Sequence, residues 1–161
     1  MCTLAVRPAL PEDETFLYEL YRAVRGPAFD PAPIAPEQKE YLLRLQFEAQ
    51  LSSYTEQFPN SRYRIVLLDG TPCGRLWVVP GEHNFHLVDI AMHPSVQKKG
   101  IGTILIKRLQ EEAQRLSLPI KSTVDRFNPG SMRFHQRLGF GIAREDAGQY
   151  YMEWRPAPPA G

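Results

Sequence analysis

Residues 85–116 constrain the fold more than any other stretch. FHLVDIAM, at 85–92, is an apolar run broken only by His86 and Asp89, the composition of a central, largely buried strand. HPSVQKKGIG then packs lysines and glycines into a turn, and beyond it apolar residues recur at helical spacing to Leu116. PIKSTV follows at once and reads as the next strand. A helix crossover of this kind makes its two strands parallel neighbours.

The flanking sequence completes the order. TLAVR, at 3–7, alternates between apolar and other residues and reads as a first strand. PEDETFLYELYRAVR opens with a proline and three acids, suited to the positive end of a helix dipole, and predicts a helix up to Arg25. After a proline-rich loop at 26–36, a second helix is expected over 37–57, with Tyr41, Leu42, Leu45 and Ala49 on its apolar stripe. RYRIVLL and PCGRLWVV flank Asp69-Gly70, a strong hairpin signal. NPGSMRFHQRL is a short helix with Asn128 as its N-cap and Pro129 at its first position. A last hairpin turns at 146–148. The order β-αα-βββ-α-β-α-ββ has two helix crossovers, which imply parallel neighbours and a mixed sheet carrying helices, an α/β (α+β) fold. No repeat or linker interrupts it, so one domain is expected over 3–154, with a disordered tail at 155–161.

Charge limits the partners. With 161 residues, 43% of them hydrophobic, the chain can bury a core. Its formal net charge of +1 gives no global attraction to nucleic acid or to an anionic membrane, so any anion site must be local. No apolar run approaches the ~20 residues of a membrane span, and the first residues lack a signal peptide's apolar core. Cys2 and Cys73 form neither metal spacing nor a disulfide framework, which suits a reducing, cytoplasmic setting.

The glycine turn is a candidate anion site. The first N–H groups of a helix lack backbone partners and carry the positive end of its dipole. Gly100 and Gly102 would let phosphate oxygens approach the backbone, and Lys98 and Lys99 add charge beside them. Such a function compensates for glycine's poor helix propensity, roughly 1 kcal/mol against alanine. A turn that merely needs positive φ would use the same residues. Two nucleotide motifs are excluded: GIGTILIK lacks the lysine spacing of a P-loop, and Leu105 stands where a dinucleotide fingerprint needs its third glycine.

VDIAMHPSVQKKGIGTILIKRL resembles the acetyl-CoA-binding motif of the GCN5-related N-acetyltransferases, Q/R-x-x-G-x-G/A, here Gln97, Lys98, Lys99, Gly100, Ile101 and Gly102. NPGSMRFHQRLGF resembles the second hallmark of that family, and the element order is similar over residues 3–154. The resemblance implies a mostly antiparallel central sheet, splayed at the cofactor site and flanked by about four helices. It also implies transfer of an acetyl group from acetyl-CoA to a primary amine by direct attack on the thioester. Backbone N–H groups from Gln97 to Thr103 would cradle the pyrophosphate. Ile90, Ala91 and Met92 would pair with the pantetheine arm, and Asn128 would reach the pantetheine or the reacting centre. The implied acceptor is a small-molecule amine or a peptide or protein amino group, bordered by the loop at 26–36 and by Tyr150 and Tyr151. A homodimer is compatible with this family. No metal is implied.

The chemistry sets three tasks: removing a proton from an amine near pKa ~10, stabilising an oxyanion, and protonating a thiolate. The family's usual tyrosine for the last task is replaced by His135, seven residues after Asn128. His135 is therefore a candidate acid if its surroundings raise its pKa. Many family members carry a glutamate on the central strand where this chain has His86, which makes His86 a candidate base and Asp89 a second. Strand periodicity puts His86, Val88, Ile90 and Met92 on one face and Asp89 on the other. Each of these residues has an ordinary structural reading as well, and bulk water is a third route for the proton. His83, His86 and His93 are too dispersed along the strand for zinc. Two other classes stay open: a non-catalytic acyl-CoA-binding sensor on the same fold, and a nucleic-acid module, which the absence of a broad basic face disfavours.

Overall fold

The computed structural model describes residues 2–159. In chain order the elements are β1 (Leu4–Pro8), α1 (Glu14–Arg25), α2 (Pro36–Gln57), β2 (Arg62–Leu68), β3 (Thr71–Pro80), β4 (Phe85–Met92), α3 (Ile101–Leu116), β5 (Ile120–Asp125), α4 (Pro129–Arg137), β6 (Gly141–Glu145) and β7 (Gln149–Trp154). The seven strands form one mixed sheet in the order β1-β2-β3-β4-β5-β7-β6. No helix among the described residues is long and apolar enough to cross a membrane.

Two compact units divide the chain. The first comprises the chain up to Trp77 together with Asp89–Ile101. Its core joins Leu17 and Tyr21 of α1, Leu43 and Phe47 of α2, and Ile65 of β2. The apolar stripe of α2 differs from the expectation: Tyr41 is 67% and Leu45 50% exposed, while Leu43 and Phe47 are buried. Apolar residues occur all round this helix, so its sequence offers more than one stripe. Aromatic packing selects between them, since the Phe47 ring lies 5.5 Å from that of Tyr18 and 5.6 Å from that of Tyr21. Asp69 and Gly70 both adopt positive φ, 52° and 81°, as a two-residue hairpin between β2 and β3 requires.

The second unit comprises Val78–Val88 and the chain from Gly102 onward. On α3, Leu105, Ile106, Leu109 and Ala113 are buried, the i, i+4 spacing of an amphipathic helix. β4 and β5 pair in parallel, Phe85 with Ile120 and Leu87 with Ser122, as the α3 crossover requires. The second crossover does not produce a parallel neighbour. α4 carries the chain past one position, and β7 fills it, antiparallel to both β5 and β6. β6 is left at the sheet edge with every residue exposed. After β7, residues 155–159 have no regular structure, yet the Gln114 amide bonds both backbone groups of Ala157. Residues 160 and 161 of the expected tail lie outside the described residues.

Asp13 ties β1 to the start of α1. Both Arg7 terminal nitrogens donate to its carboxylate, at 2.7 and 2.9 Å, and so does the Leu10 N–H at 2.8 Å. The bonds from Arg7 hold the Asp13 carboxyl down at about 2. A carboxyl depressed in the folded state stabilises the fold above its unfolded pKa, near 4, and loses that contribution as pH falls through the folded value. Asp13→Asn should therefore lower Tm by a few degrees at pH 7, and the difference from wild type should vanish near pH 2, as read by thermal denaturation across pH.

Candidate active site

The end of β4 and the turn after it belong to the first unit. Gly74 on β3 faces this end so closely that a Cβ there would lie 2.5 Å from the Ala91 carbonyl oxygen and 2.7 Å from the Met92 sulfur. Only glycine permits that approach. The Met92 carbonyl accepts from the Gln97 side-chain amide at 3.0 Å, and the His93 N–H donates to the Cys73 carbonyl at 2.7 Å. Gln97 thus folds its side chain back onto the strand, while its backbone leads into the turn.

That turn alternates in handedness. Gln97 has φ −63°, Lys98 +66° and Gly100 +79°, with Lys99 not among the positive-φ residues. Gln97 is extended, with ψ 154°, and the chain passes through the left-handed region at Lys98 and Gly100 before the first turn of α3, where helical N–H groups lack backbone partners and carry the positive end of the dipole. A Cβ at Gly100 would meet nothing within 4 Å. The space above the backbone is open, and the glycine is required there by its φ. Lys98 and Lys99 are both exposed.

The proton-transfer candidates stand in different settings. Asp89 is held by Arg75, with Nη2 at 2.6 Å and Nε at 2.7 Å from Oδ2. Arg75 is 2% exposed and was not singled out in the sequence, although an arginine inside the apolar run of PCGRLWVV signals a buried ion pair. His86 is half-buried, in register with Lys121 of β5. Burial lowers the pKa of its imidazole, so the ring is neutral at pH 7.

His135 does not present itself as a proton donor. The ring is 5% exposed and both of its nitrogens are engaged. Nδ1 lies 2.8 Å from the Ser131 carbonyl oxygen and so carries the hydrogen, while Nε2 lies 3.1 Å from Oγ of Ser122 on β5 and accepts from it. Burial lowers its pKa, against the opposing bond to Ser131. The expected acid is a neutral, satisfied imidazole that fastens α4 to β5. Asn128 caps α4, its Oδ1 accepting from the Ser131 N–H at 3.1 Å. The Tyr151 hydroxyl donates to Asp146 at 2.9 Å, and the Tyr150 ring lies beneath Arg126.

A central strand, a glycine turn and a helix on a seven-stranded mixed sheet define a class. Residues 17–140 match the model of the acetyltransferase (GNAT) family, and the chain belongs to that family. Among solved structures it resembles the PaiA N-acetyltransferase of Thermoplasma acidophilum in complex with coenzyme A, with a TM-score of 0.74 and 18% identity over 95% of this chain and 99% of that one. It also resembles the ribosomal-protein alanine N-acetyltransferase of Escherichia coli, at TM-score 0.67 and 14% identity over 98% and 97% of the two chains. Nourseothricin acetyltransferase aligns at TM-score 0.64 and 16% identity, over 96% and 99%. None of the curated proteins matches by sequence.

Two outcomes follow from this geometry. Gly74→Ala should destabilise the protein by about 1–3 kcal/mol, because backbone at the end of β4 must move; urea denaturation measures it. His135 has a folded pKa below its unfolded value, so its contribution is present above about pH 6.5 and falls away as pH drops through the folded value. His135→Phe should flatten part of the stability loss between pH 7 and 5, while costing about 1–3 kcal/mol at pH 7 by leaving the Ser122 hydroxyl without its partner.

Proposed function

We propose that this protein is an acetyl-CoA-dependent N-acetyltransferase acting on a primary amine. The observation that carries this reading is the alternating backbone of residues 97–100 running into α3, in a chain of the GNAT family. The coenzyme A complex of the Thermoplasma acidophilum neighbour supports the choice of co-substrate. In this reading the backbone N–H groups of Gln97, Lys98, Lys99, Gly100, Ile101, Gly102 and Thr103 hold the pyrophosphate. Ile90, Ala91 and Met92 line the pantetheine arm. Because Gln97 already occupies the Met92 carbonyl, the arm draws on the other backbone groups of this segment. Asn128 keeps its cap on α4.

The amine nitrogen attacks the thioester carbon. An N–C bond forms, the C–S bond breaks, and one proton passes from nitrogen to the departing sulfur through intervening groups. The attacking nitrogen gives up its proton to water. His135 acts as a positioning residue for α4. The thiolate then gains its proton from water, which a thiol near pKa ~8.5 permits at modest cost. The acceptor is a small amine or a terminal or lysyl amino group, and the setting is cytoplasmic.

Thiol release from acetyl-CoA, measured with n-butylamine, tyramine, spermidine and an alanine-initiated tripeptide, tests this directly. Release with at least one amine is expected; binding without release from any of them would instead support a non-catalytic acyl-CoA sensor. Acetyl-CoA at 100 times its Kd should stabilise the fold by about 2.7 kcal/mol, a Tm rise of several degrees. Gly100→Val should weaken coenzyme A binding more than about tenfold by calorimetry, a loss above ~1.4 kcal/mol. An unchanged Kd would remove the turn from the site.

A further inference from the structure

The guanidinium of Arg75 is engaged through all three of its nitrogens. Besides the Nε bond and the Nη2 ion pair to Asp89 Oδ2, Nη2 donates to Gln50 Oε1 at 2.9 Å, and Nη1 donates to the Tyr63 hydroxyl at 3.2 Å. The Tyr21, Tyr63 and Trp77 rings all lie within 6 Å of its Cζ. A side chain bonded and stacked in this way has one conformation. It grips Asp89 by Oδ2 alone. Oδ1 accepts no hydrogen bond from any described residue. Arg25 Nη2 forms an ion pair with it at 3.8 Å, beyond hydrogen-bond range. Asp89 keeps 14% of its side-chain surface. One oxygen of this carboxylate is thus locked, and the other has no hydrogen bond, with an acceptor site open.

The surroundings say what kind of donor suits it. The charged and titratable neighbours are Arg25 and Tyr21 from α1, Tyr63 from β2 and Arg75 from β3; α2 contributes neutral Gln50. Two guanidiniums and one carboxylate leave the cluster net positive. A donor that brings a full positive charge is opposed by both arginines, whereas a neutral N–H is not. A neutral amine is also the reactive form in acyl transfer. Asp89 lies two residues before Ala91 on the same strand, roughly 7 Å along β4, close to where the pantetheine arm is proposed to lie.

We propose that Asp89 Oδ1 receives an N–H of the acceptor amine in its unprotonated form, and that Arg75 is the positioning residue that leaves this oxygen open. The half-exposed Arg25 guards the same oxygen and depresses the pKa of the arriving amine. The inference rests on the N-acetyltransferase reading above and names how that reading's acceptor is held.

Steady-state kinetics on the full chain, with the most active amine of the panel above, tests it. Arg75→Lys loses the fixed fork, and Asp89→Asn replaces the carboxylate by an amide. Each should raise the amine KM by about tenfold while changing the acetyl-CoA KM by less than about twofold, and the double variant should be no worse than either single. Arg25→Gln, at an exposed position, keeps the test open if the buried variants fold poorly. Loss of one positive charge raises the pKa of the bound amine, so the acid limb of the kcat–pH profile should move to higher pH. Additive effects in the double variant, a fall in kcat with unchanged amine KM, or an acid limb unmoved in Arg25→Gln would overturn the inference while leaving the acetyltransferase reading intact. Wild-type protein that binds acetyl-CoA and acetylates none of the amines would remove both.

Discussion

A buried guanidinium needs a carboxylate, and the first unit is organised around that need. Arg75 carries a full charge at 2% exposure, where an unpaired charge would be far too costly to keep. Its ion pair with Asp89 ties β3 to β4, its bond to Gln50 reaches α2, and its contacts with Tyr21 and Tyr63 reach α1 and β2. Pairs of this type contribute little net stability against an apolar replacement, but removing one partner is strongly destabilising. What the pair supplies is registry: elements distant in sequence must align for all three guanidinium nitrogens to be met together. A neighbouring constraint acts two strand positions on, where Gly74 lets the backbones close at Ala91 and Met92. Together they define where the edge of β4 lies before any cofactor arrives.

In the second unit, His135 has a related role with neutral groups. Its ring bridges the Ser131 carbonyl one helical turn earlier and the Ser122 hydroxyl on β5. Ser122 is on the buried face of β5, between Ile120 and Val124, so its hydroxyl would be orphaned without that ring. The position that the second family motif usually gives to tyrosine is filled here by a residue that completes the hydrogen bonding of the core. A tyrosine hydroxyl donates and accepts at a single oxygen on a longer arm, whereas the imidazole meets its two partners from two separate nitrogens.

Much of this was legible from the chain. The glycine turn, the Asp69-Gly70 hairpin, the α3 boundaries and the Asn128 cap all follow from local rules, because turn chemistry and capping depend on neighbours in sequence. Three features were not. Which stripe of α2 is buried depends on where the Tyr18 and Tyr21 rings stand, and that is tertiary. The insertion of β7 between β5 and β6 leaves no trace in the spacing of the elements, since a helix crossover can skip one strand position as readily as none. The burial of His135 depended on a serine thirteen residues earlier in sequence. Gly74 and Arg75 did leave a mark, a glycine and an arginine inside an apolar strand, which is the composition expected where backbones crowd and a charge is paired.

The structural neighbours sharpen where specificity must reside. One is described as acting on a ribosomal protein's alanine and another on nourseothricin, yet their folds align with this chain almost end to end at 14% and 16% identity. Acceptor choice on such a scaffold is therefore carried by side chains rather than by topology. In this chain two groups are least explained by folding alone. Lys98 and Lys99 are exposed beside the glycine turn, and Asp89 has one oxygen bound by Arg75 and one without a hydrogen bond. A buried ion pair retained only for stability would use both carboxylate oxygens, because bidentate pairing satisfies more of the desolvated charge. Arg75 engages Oδ2 alone, and Oδ1 faces the Arg25 guanidinium at 3.8 Å without a hydrogen bond, which is intelligible if a donor from outside the chain completes it.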